Sequence, residues 1–242
     1  MTTASQKTVK QLKSENRDFF QIAFSVDCVI FGFEKGELKV LLIRSDLEEY
    51  KDKWTLLGDL VRPDEDLNSA SYRVLNERTG LDNLFLEQVY TFGNVNRHPA
   101  GRVITTAYYS LVNITDHQLK LPHNQLHWHP VREITSLAFD HKKILTTCIA
   151  QLREKIMEHP IVFNLLPEKF SMRELQSLYE AILDTKLDRR NFRKKFFQME
   201  WLIDLNEYEL NVPHRPGKLY KFNAQRFSNG KIPISAAMSS TQ

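Results

Sequence analysis

The chain has only two cysteines, Cys28 and Cys148, among 242 residues. Two isolated thiols inside apolar segments exclude a disulfide framework and a thiolate metal cluster, so both are read as small core residues. Long apolar runs are missing as well. The longest, such as Val29-Ile30-Phe31 and Val40-Leu41-Leu42-Ile43, fall far short of the roughly 20 residues that cross a bilayer. No apolar stretch follows a basic amino terminus, and the expectation is a cytoplasmic protein with no membrane partner. Metal-ligand spacing is absent too. His123, His127 and His129 stand close together, yet His127 and His129 alternate about Trp128 as strand neighbours do, and no carboxylate or thiol completes a set. No metal and no cofactor are expected.

What is present is ordinary globular material, 42% apolar and 26% charged, enough for one large or two modest domains. The net charge of +3 is unevenly spread: residues 161–242 carry 13 Lys and Arg against 9 Asp and Glu, which leaves −1 for residues 1–160. A basic partner surface therefore belongs to the last third. Residues 1–17 are polar and mixed in charge without a sustained apolar period, and residues 228–242 are polar. Both read as flexible ends.

Between the ends, Phe20 to Phe33 and Glu37 to Arg44 are rich in β-branched and aromatic residues, and Glu34-Lys35-Gly36 between them reads as a hairpin turn. Asp27 lies inside the first run. A carboxylate there needs a partner or a pocket, so it is either a ligand contact or a structural aspartate bonded to backbone. Further strands are expected at Leu84 to Phe92 and Val103 to Ile114. The loop joining them holds Asn94, Asn96 and Arg97, with Arg102 at its end. Such planar donors suit a sugar or phosphate, and equally a solvated loop.

From Asp66 the apolar residues Leu67, Ala70, Val74 and Leu75 recur at helical spacing until Gly80 stops the pattern. The stretch Gly58 to Leu81 resembles the Nudix box, G-x5-E-x7-R-E-U-x-E-E-x-G-U with U apolar. Glu65, Arg73, Leu75, Glu77, Gly80 and Leu81 match, whereas Asp59 replaces the first Gly, Val74 a Glu and Arg78 the last Glu. In that family the helix carboxylates share one face and hold Mg2+ or Mn2+ for hydrolysis of nucleoside diphosphate linkages. Here the face carries an isopropyl group, one carboxylate and a guanidinium whose fixed charge repels a cation. The resemblance thus implies the fold without the hydrolase.

Downstream, Leu137-Ala138-Phe139-Asp140-His141 opens a helix reaching about Met157, with Asp140 near its amino end, and His159-Pro160 interrupts the pattern. Ser171 and Glu174 form a capping box ahead of a helix whose stripe is Leu175, Leu178, Tyr179, Ile182 and Leu183. After the short turn Thr185-Lys186-Leu187, Asp188 starts a second helix. Phe192, Phe196 and Met199 form its buried stripe, and Arg189, Arg190, Asn191, Arg193, Lys194 and Lys195 occupy the other faces. Trp201 to Leu205 and Lys218 to Phe222 read as the strands of a wing with His214, Arg215 and Pro216 near its tip. A capped helix, a tight turn, a basic helix and a basic hairpin in that order are the parts of a winged helix-turn-helix. Expected contacts with a double-stranded DNA operator are Arg189, Arg190, Asn191 and Arg193 for base edges or phosphates, and Lys194, Lys195, His214, Arg215 and Lys218 for phosphates.

Taken with the box, these stretches resemble the Nudix-related transcriptional regulators over about residues 20–225. The resemblance implies an α+β chain: a Nudix-like α/β/α sandwich with a mixed sheet at 18–159, then a winged helix-turn-helix at 160–227. It also implies a homodimer and a small-molecule effector. One branch of that family responds to ADP-ribose and another to arabinose, and the segments 27–33 and 139–145 look closer to the second. A pentose is therefore the first expected effector and ADP-ribose the second, held by groups drawn from Asp27, Arg44, Asn94, Asn96, Arg97 and Arg102. A Nudix hydrolase with an appended winged helix, resting on Glu65 and Glu77, is the alternative.

Overall fold

Strand-period alternation on three long segments builds the central sheet of the computed structural model, which describes residues 21–45, 47–81, 84–114, 126–213 and 215–225. On β1 (Ala23–Glu34) the side chains of Val26, Cys28 and Ile30 enter one apolar cluster and those of Val29 and Phe31 another. Successive side chains point to opposite faces, so β1 is buried on both. It pairs antiparallel with β2 (Glu37–Arg44), and Lys35 and Gly36 between them both have positive φ, 52° and 79°. A two-residue turn of that hand matches the strand twist. β1 also pairs antiparallel with β4 (Leu57–Leu60) and parallel with β6 (Val103–Asn113). With β3 (Trp54–Thr55), β5 (Glu87–Phe92) and β7 (Leu126–Pro130) they form a seven-stranded mixed sheet of main order β3-β2-β1-β6-β5.

One helix covers each face. Helix α1 (Leu67–Thr79) is capped by the Asp66 carboxylate, which accepts from Ser69 N at 2.7 Å, and ends at Gly80 in the left-handed region. Its Ala70, Val74 and Leu75 pack on the Val26, Cys28 and Ile30 side. Helix α2 (His141–Lys155) lays Ile144, Leu145, Cys148 and Leu152 on the opposite side. Both cysteines are buried. Among the described residues no helix is long and apolar enough to cross a membrane.

The last third is a winged helix. β8 (Phe170–Ser171) leads into α3 (Met172–Leu183), where Ser171 and Glu174 form the reciprocal capping box. Asp184, at φ 55°, stops α3, and Asp188 caps α4 (Arg189–Gln198) by accepting from Asn191 N at 2.8 Å. β9 (Leu202–Tyr208) and β10 (Lys218–Phe222) complete a small sheet of order β8-β10-β9. Tyr179 of α3 packs edge-on against Phe192 and Phe196 of α4, with centroids 5.6 and 5.3 Å apart. This core is continuous with the α2 side of the larger sheet. Arg153 Nε of α2 also donates to the Ile182 carbonyl of α3 at 2.7 Å.

Three segments differ from expectation, among them the first wing strand, which was expected to end at Leu205 and runs on to Tyr208. The strand expected from Leu84 begins at Glu87, because Leu84 and Leu86 are buried with α1 before the chain joins the sheet. The helix expected from Leu137 begins at His141, because Phe139 adopts φ 54°, which a right-handed helix does not admit. The arm at 1–17, the tail at 228–242, His123 and His214 lie outside the described residues.

Candidate functional site

A cavity of about 260 Å³ opens on the α2 side of the sheet, lined among others by Asp27, Thr55, Gly58, Arg97, Phe139 and His141. Asp27 comes from the middle of β1, opposite Gly58 of β4. Its Oδ2 accepts from Thr105 Oγ1 of β6 at 2.7 Å and lies 3.5 Å from Arg97 Nη2, while its Oδ1 lies 3.3 Å from His141 Nε2. Leu56 N–H donates to His141 Nδ1 at 3.1 Å, and the Thr55 hydroxyl lies 2.6 Å from the same nitrogen. A nitrogen accepting from a backbone amide carries no proton, so the ring's hydrogen sits on Nε2 and faces Asp27. Burial pushes the His141 pKa down, against the attraction of Asp27, and this keeps the ring neutral.

Arg97 bridges two carboxylates. Its Nε and Nη2 reach the two oxygens of Asp140 at 3.1 and 2.9 Å. Asp140 precedes α2 yet makes no side-chain cap bond, because this bidentate pair occupies it. Phe139 supplies an aromatic wall, stacked on His98 at 5.0 Å and 8° and lying 4.4 Å from the Tyr50 ring. Strained backbone of this kind persists where the surroundings hold it in place.

Of the six expected ligand groups, the structure brings Asp27, Arg97 and Arg44 to the cavity. The Arg44 guanidinium lies over the Trp54 ring at 4.0 Å and also donates to the Asp52 carbonyl. Asn94, Asn96 and Arg102 are placed elsewhere, in closing their own loop. Asn94 Oδ1 accepts from Asn96 N at 3.1 Å, and Arg102 Nη1 donates to the carbonyls of Gly93 and Asn94 at 2.8 and 3.1 Å. Sequence reasoning missed Thr55, Thr105, His98, Phe139, Asp140 and His141. The Asp-His pair at a helix start, following an aromatic residue, was the available signal.

The box residues do not fit a divalent cation. Glu65 is held by Arg73 Nη2 at 2.6 Å and by Arg62 N at 2.8 Å. Those bonds, the Arg73 contact foremost, pull its carboxyl down to about 2. Glu77 is shared by Arg62 and Arg73 at 3.1 Å each, and Asp59 faces Arg73 at 3.6 Å and Arg78 at 3.9 Å. Each acid already faces a guanidinium, and Val74 is buried against the sheet. Among the described residues no group of three or more His, Cys, Asp or Glu side chains is arranged to hold a metal ion.

Gly58 has a specific reason to be glycine. A Cβ there would stand 2.3 Å from Asp27 Oδ1, far inside contact distance, so Gly58→Ala must push the buried carboxylate out of its network. We expect a loss of about 1–3 kcal/mol, typical of overpacking, read as a lower midpoint in chemical denaturation. An unchanged midpoint would show that Asp27 moves freely.

In the winged helix, Arg189 and Arg193 of α4 line a groove of about 620 Å³ with Arg173, Arg215 and Lys218. Arg190, Asn191 and Lys194 are exposed on other faces of α4, and Lys195 is half-buried in its last turn. The expected phosphate contact at Lys218 is tempered by Asp204, whose carboxylate lies 2.5 Å away and raises the lysine pKa. Glu207 and Glu209 likewise bind Lys169 and Arg173, both at 2.6 Å.

Comparison with known proteins places both halves. Residues 22–148 match the NUDIX domain, and residues 162–222 match the NrtR DNA-binding winged helix domain. The ADPR responsive transcriptional repressor NtrR of Acinetobacter baylyi is 31% identical over 218 residues, 88% of this chain and 87% of the relative. The crystal structure of Shewanella oneidensis NrtR complexed with a 27mer DNA is similar at a TM-score of 0.70 and 27% identity, over 85% of this chain and 95% of that one. The NUDIX domain of the same NrtR, complexed with ADP ribose, is similar at a TM-score of 0.51 and 26% identity, over 60% of this chain and 99% of that one.

Proposed function

This chain belongs to the NrtR-type family of transcriptional regulators, which join a Nudix effector domain to a DNA-binding winged helix, and we propose that it senses a pentose and controls genes of carbohydrate use. The observation that carries the effector reading is the cavity itself. At about 260 Å³ it lies below the roughly 300–1,000 Å³ of sites for drug-sized ligands and suits one sugar ring. Asp27 and Arg97 line it with a carboxylate and a guanidinium suited to hydroxyl groups, and Phe139 offers a flat apolar face. The boundaries 18–159 and 160–227 divide sensor from reader, the site is cytoplasmic, and the regulator acts as a homodimer, since one winged helix covers one half-site.

ADP-ribose is the second reading. It is favoured by the relatives whose printed names carry an effector, the A. baylyi repressor and the S. oneidensis domain, none of which carries a free pentose. In this reading the ribose would enter the cavity and Arg44 and Arg78 at its lining would meet the diphosphate. Helix α2 connects either ligand to the DNA side: His141 begins it at the cavity, and Arg153, about 18 Å along the axis at 1.5 Å per residue, holds α3.

A thermal-shift screen of pentoses, hexoses, their phosphates, ADP-ribose and NAD separates the readings. A pentose at about 100 times its Kd stabilises by about 2.7 kcal/mol, a rise of about 5–10 °C for a chain of this size. A response to ADP-ribose alone would overturn the pentose and leave the regulator standing. No metal-dependent release of product from ADP-ribose is expected with Mg2+. Steady turnover would restore the hydrolase alternative.

A further inference from the structure

The turn that joins α3 to α4, residues 184–188, contains neither Gly nor Pro. Asp184 takes the left-handed position that ends α3, at φ 55°. Glycine is the usual residue there, so the course of the turn must be held by other groups. Two side chains of α3, one helical turn apart, hold it. Glu180 Oε1 accepts from Leu187 N at 3.1 Å and from Gln176 Nε2 at 2.9 Å, and the same Gln176 nitrogen donates to the Leu187 carbonyl at 2.9 Å. Both backbone groups of Leu187 are thus bound from α3 just before Arg189 opens α4. Glu180 Oε2 accepts from Lys186 Nζ at 2.9 Å, and the Glu180 carbonyl takes the amides of Asp184 and Thr185. Burial opposes the charge on Glu180, yet the bonds from Leu187 N–H, Gln176 and Lys186 together hold its carboxyl below the usual range. A carboxylate in this place needs a reason, because Glu180 lines the basic groove with Arg189 and Arg193 and a negative group there repels phosphate.

We propose that Glu180 is a positioning residue for DNA reading: with Gln176 it clasps the turn and fixes the angle at which α4 presents Arg189 and Arg193 to base edges. The rings of Tyr179, Phe192 and Phe196 hold α4 against α3, but apolar contact is non-directional. Hydrogen bonds to both backbone groups of one residue set a direction. A base contact needs that direction, since a guanidinium discriminates through its fixed fork geometry, whereas a phosphate contact tolerates a tilt. The clasp also lies beside the sensor's grip on α3, where Arg153 Nε holds the Ile182 carbonyl. This role rests on the winged helix reading DNA and holds for either effector.

Fluorescence anisotropy of the full chain, Glu180→Ala and Glu180→Gln tests it, with one duplex selected from random-sequence DNA by the wild type and one unrelated duplex. Glu180→Ala should lower affinity for the selected duplex at least about tenfold, the scale of a lost base contact. Affinity for the unrelated duplex should not fall and the salt dependence should keep its slope, because no phosphate-binding cation has been removed. Glu180→Gln keeps an acceptor for Leu187 N–H and should recover most of the preference. A preference untouched in the Ala variant, a parallel loss on both duplexes, or a Gln variant as poor as the Ala variant would overturn the role and leave the DNA reader standing. A wild type that selects no duplex would overturn the DNA reading and the role with it. Should the Ala variant not fold, Gln176→Ala, which removes only the amide of the clasp, decides: a lowered preference supports the role and an unchanged one overturns it.

Discussion

Arg97→Ala should abolish the effector response and lower stability by about 3–5 kcal/mol. The Arg97 side chain is 2% exposed and lies between the carboxylates of Asp27 and Asp140, which are 5% and 20% exposed. Removing one partner of a buried ion pair leaves uncompensated charge in a medium that solvates it poorly, and here one truncation strips two acids at once. At about 2–4 °C per kcal/mol for a chain of this length, the melting temperature should fall by about 6–20 °C. The loss of response has a separate cause. Without the guanidinium, Asp140 at the head of α2 is released and the cavity loses its wall. Arg97→Lys restores one cationic contact but not the bidentate geometry, so it should recover part of the stability and little of the binding. A melting temperature within 2 °C of wild type for Arg97→Ala would show that the acids find other partners.

The second large effect is expected on the DNA side. Arg189 and Arg193 share the groove face of α4, one turn apart. If either reads a base edge, its replacement by Ala should cost about 1–3 kcal/mol on operator DNA and nearly nothing on unrelated duplexes. If both bind phosphates, affinity falls on all sequences and the salt dependence flattens by about one unit of slope per residue. Lys218→Ala should do less than either arginine change, because Asp204 already holds that ammonium. Equal losses at Arg189, Arg193 and Lys218 would contradict the groove as the reading face.

The contrast between helices and site explains what the sequence could disclose. Asp66, Ser171 and Asp188 stand before apolar residues at helical spacing where helices were expected to start, and each caps its helix, Ser171 through the capping box as read. These signals are local, made by residues three or four apart. The cavity is not local: Asp27, Thr55, Thr105 and His141 meet only because β1, β3, β6 and α2 converge there. Thr105 reads as one more β-branched strand residue, and His141 as one more helix residue. The loop at 93–102 shows the opposite error. Its polar residues look alike in sequence, yet Arg97 and His98 turn toward the cavity, and Asn94, Asn96 and Arg102 satisfy the backbone of the loop. The Nudix box was legible because each departure changes charge, and the structure shows the remaining acids held by Arg62, Arg73 and Arg78. The effector's identity depends on how hydroxyl and phosphate groups meet a half-closed pocket, which no spacing encodes.

Titration of the chain onto an operator duplex selected from random-sequence DNA, followed by fluorescence anisotropy with and without each ligand that raises the melting temperature, tests the account most directly. A ligand in the cavity that prefers one arrangement of sensor and reader by about 1–3 kcal/mol should change operator affinity by roughly 5–150-fold, and Arg97→Ala should remove that change while still binding the duplex. A ligand that binds the Nudix domain and leaves operator affinity untouched would contradict the link between sensor and reader.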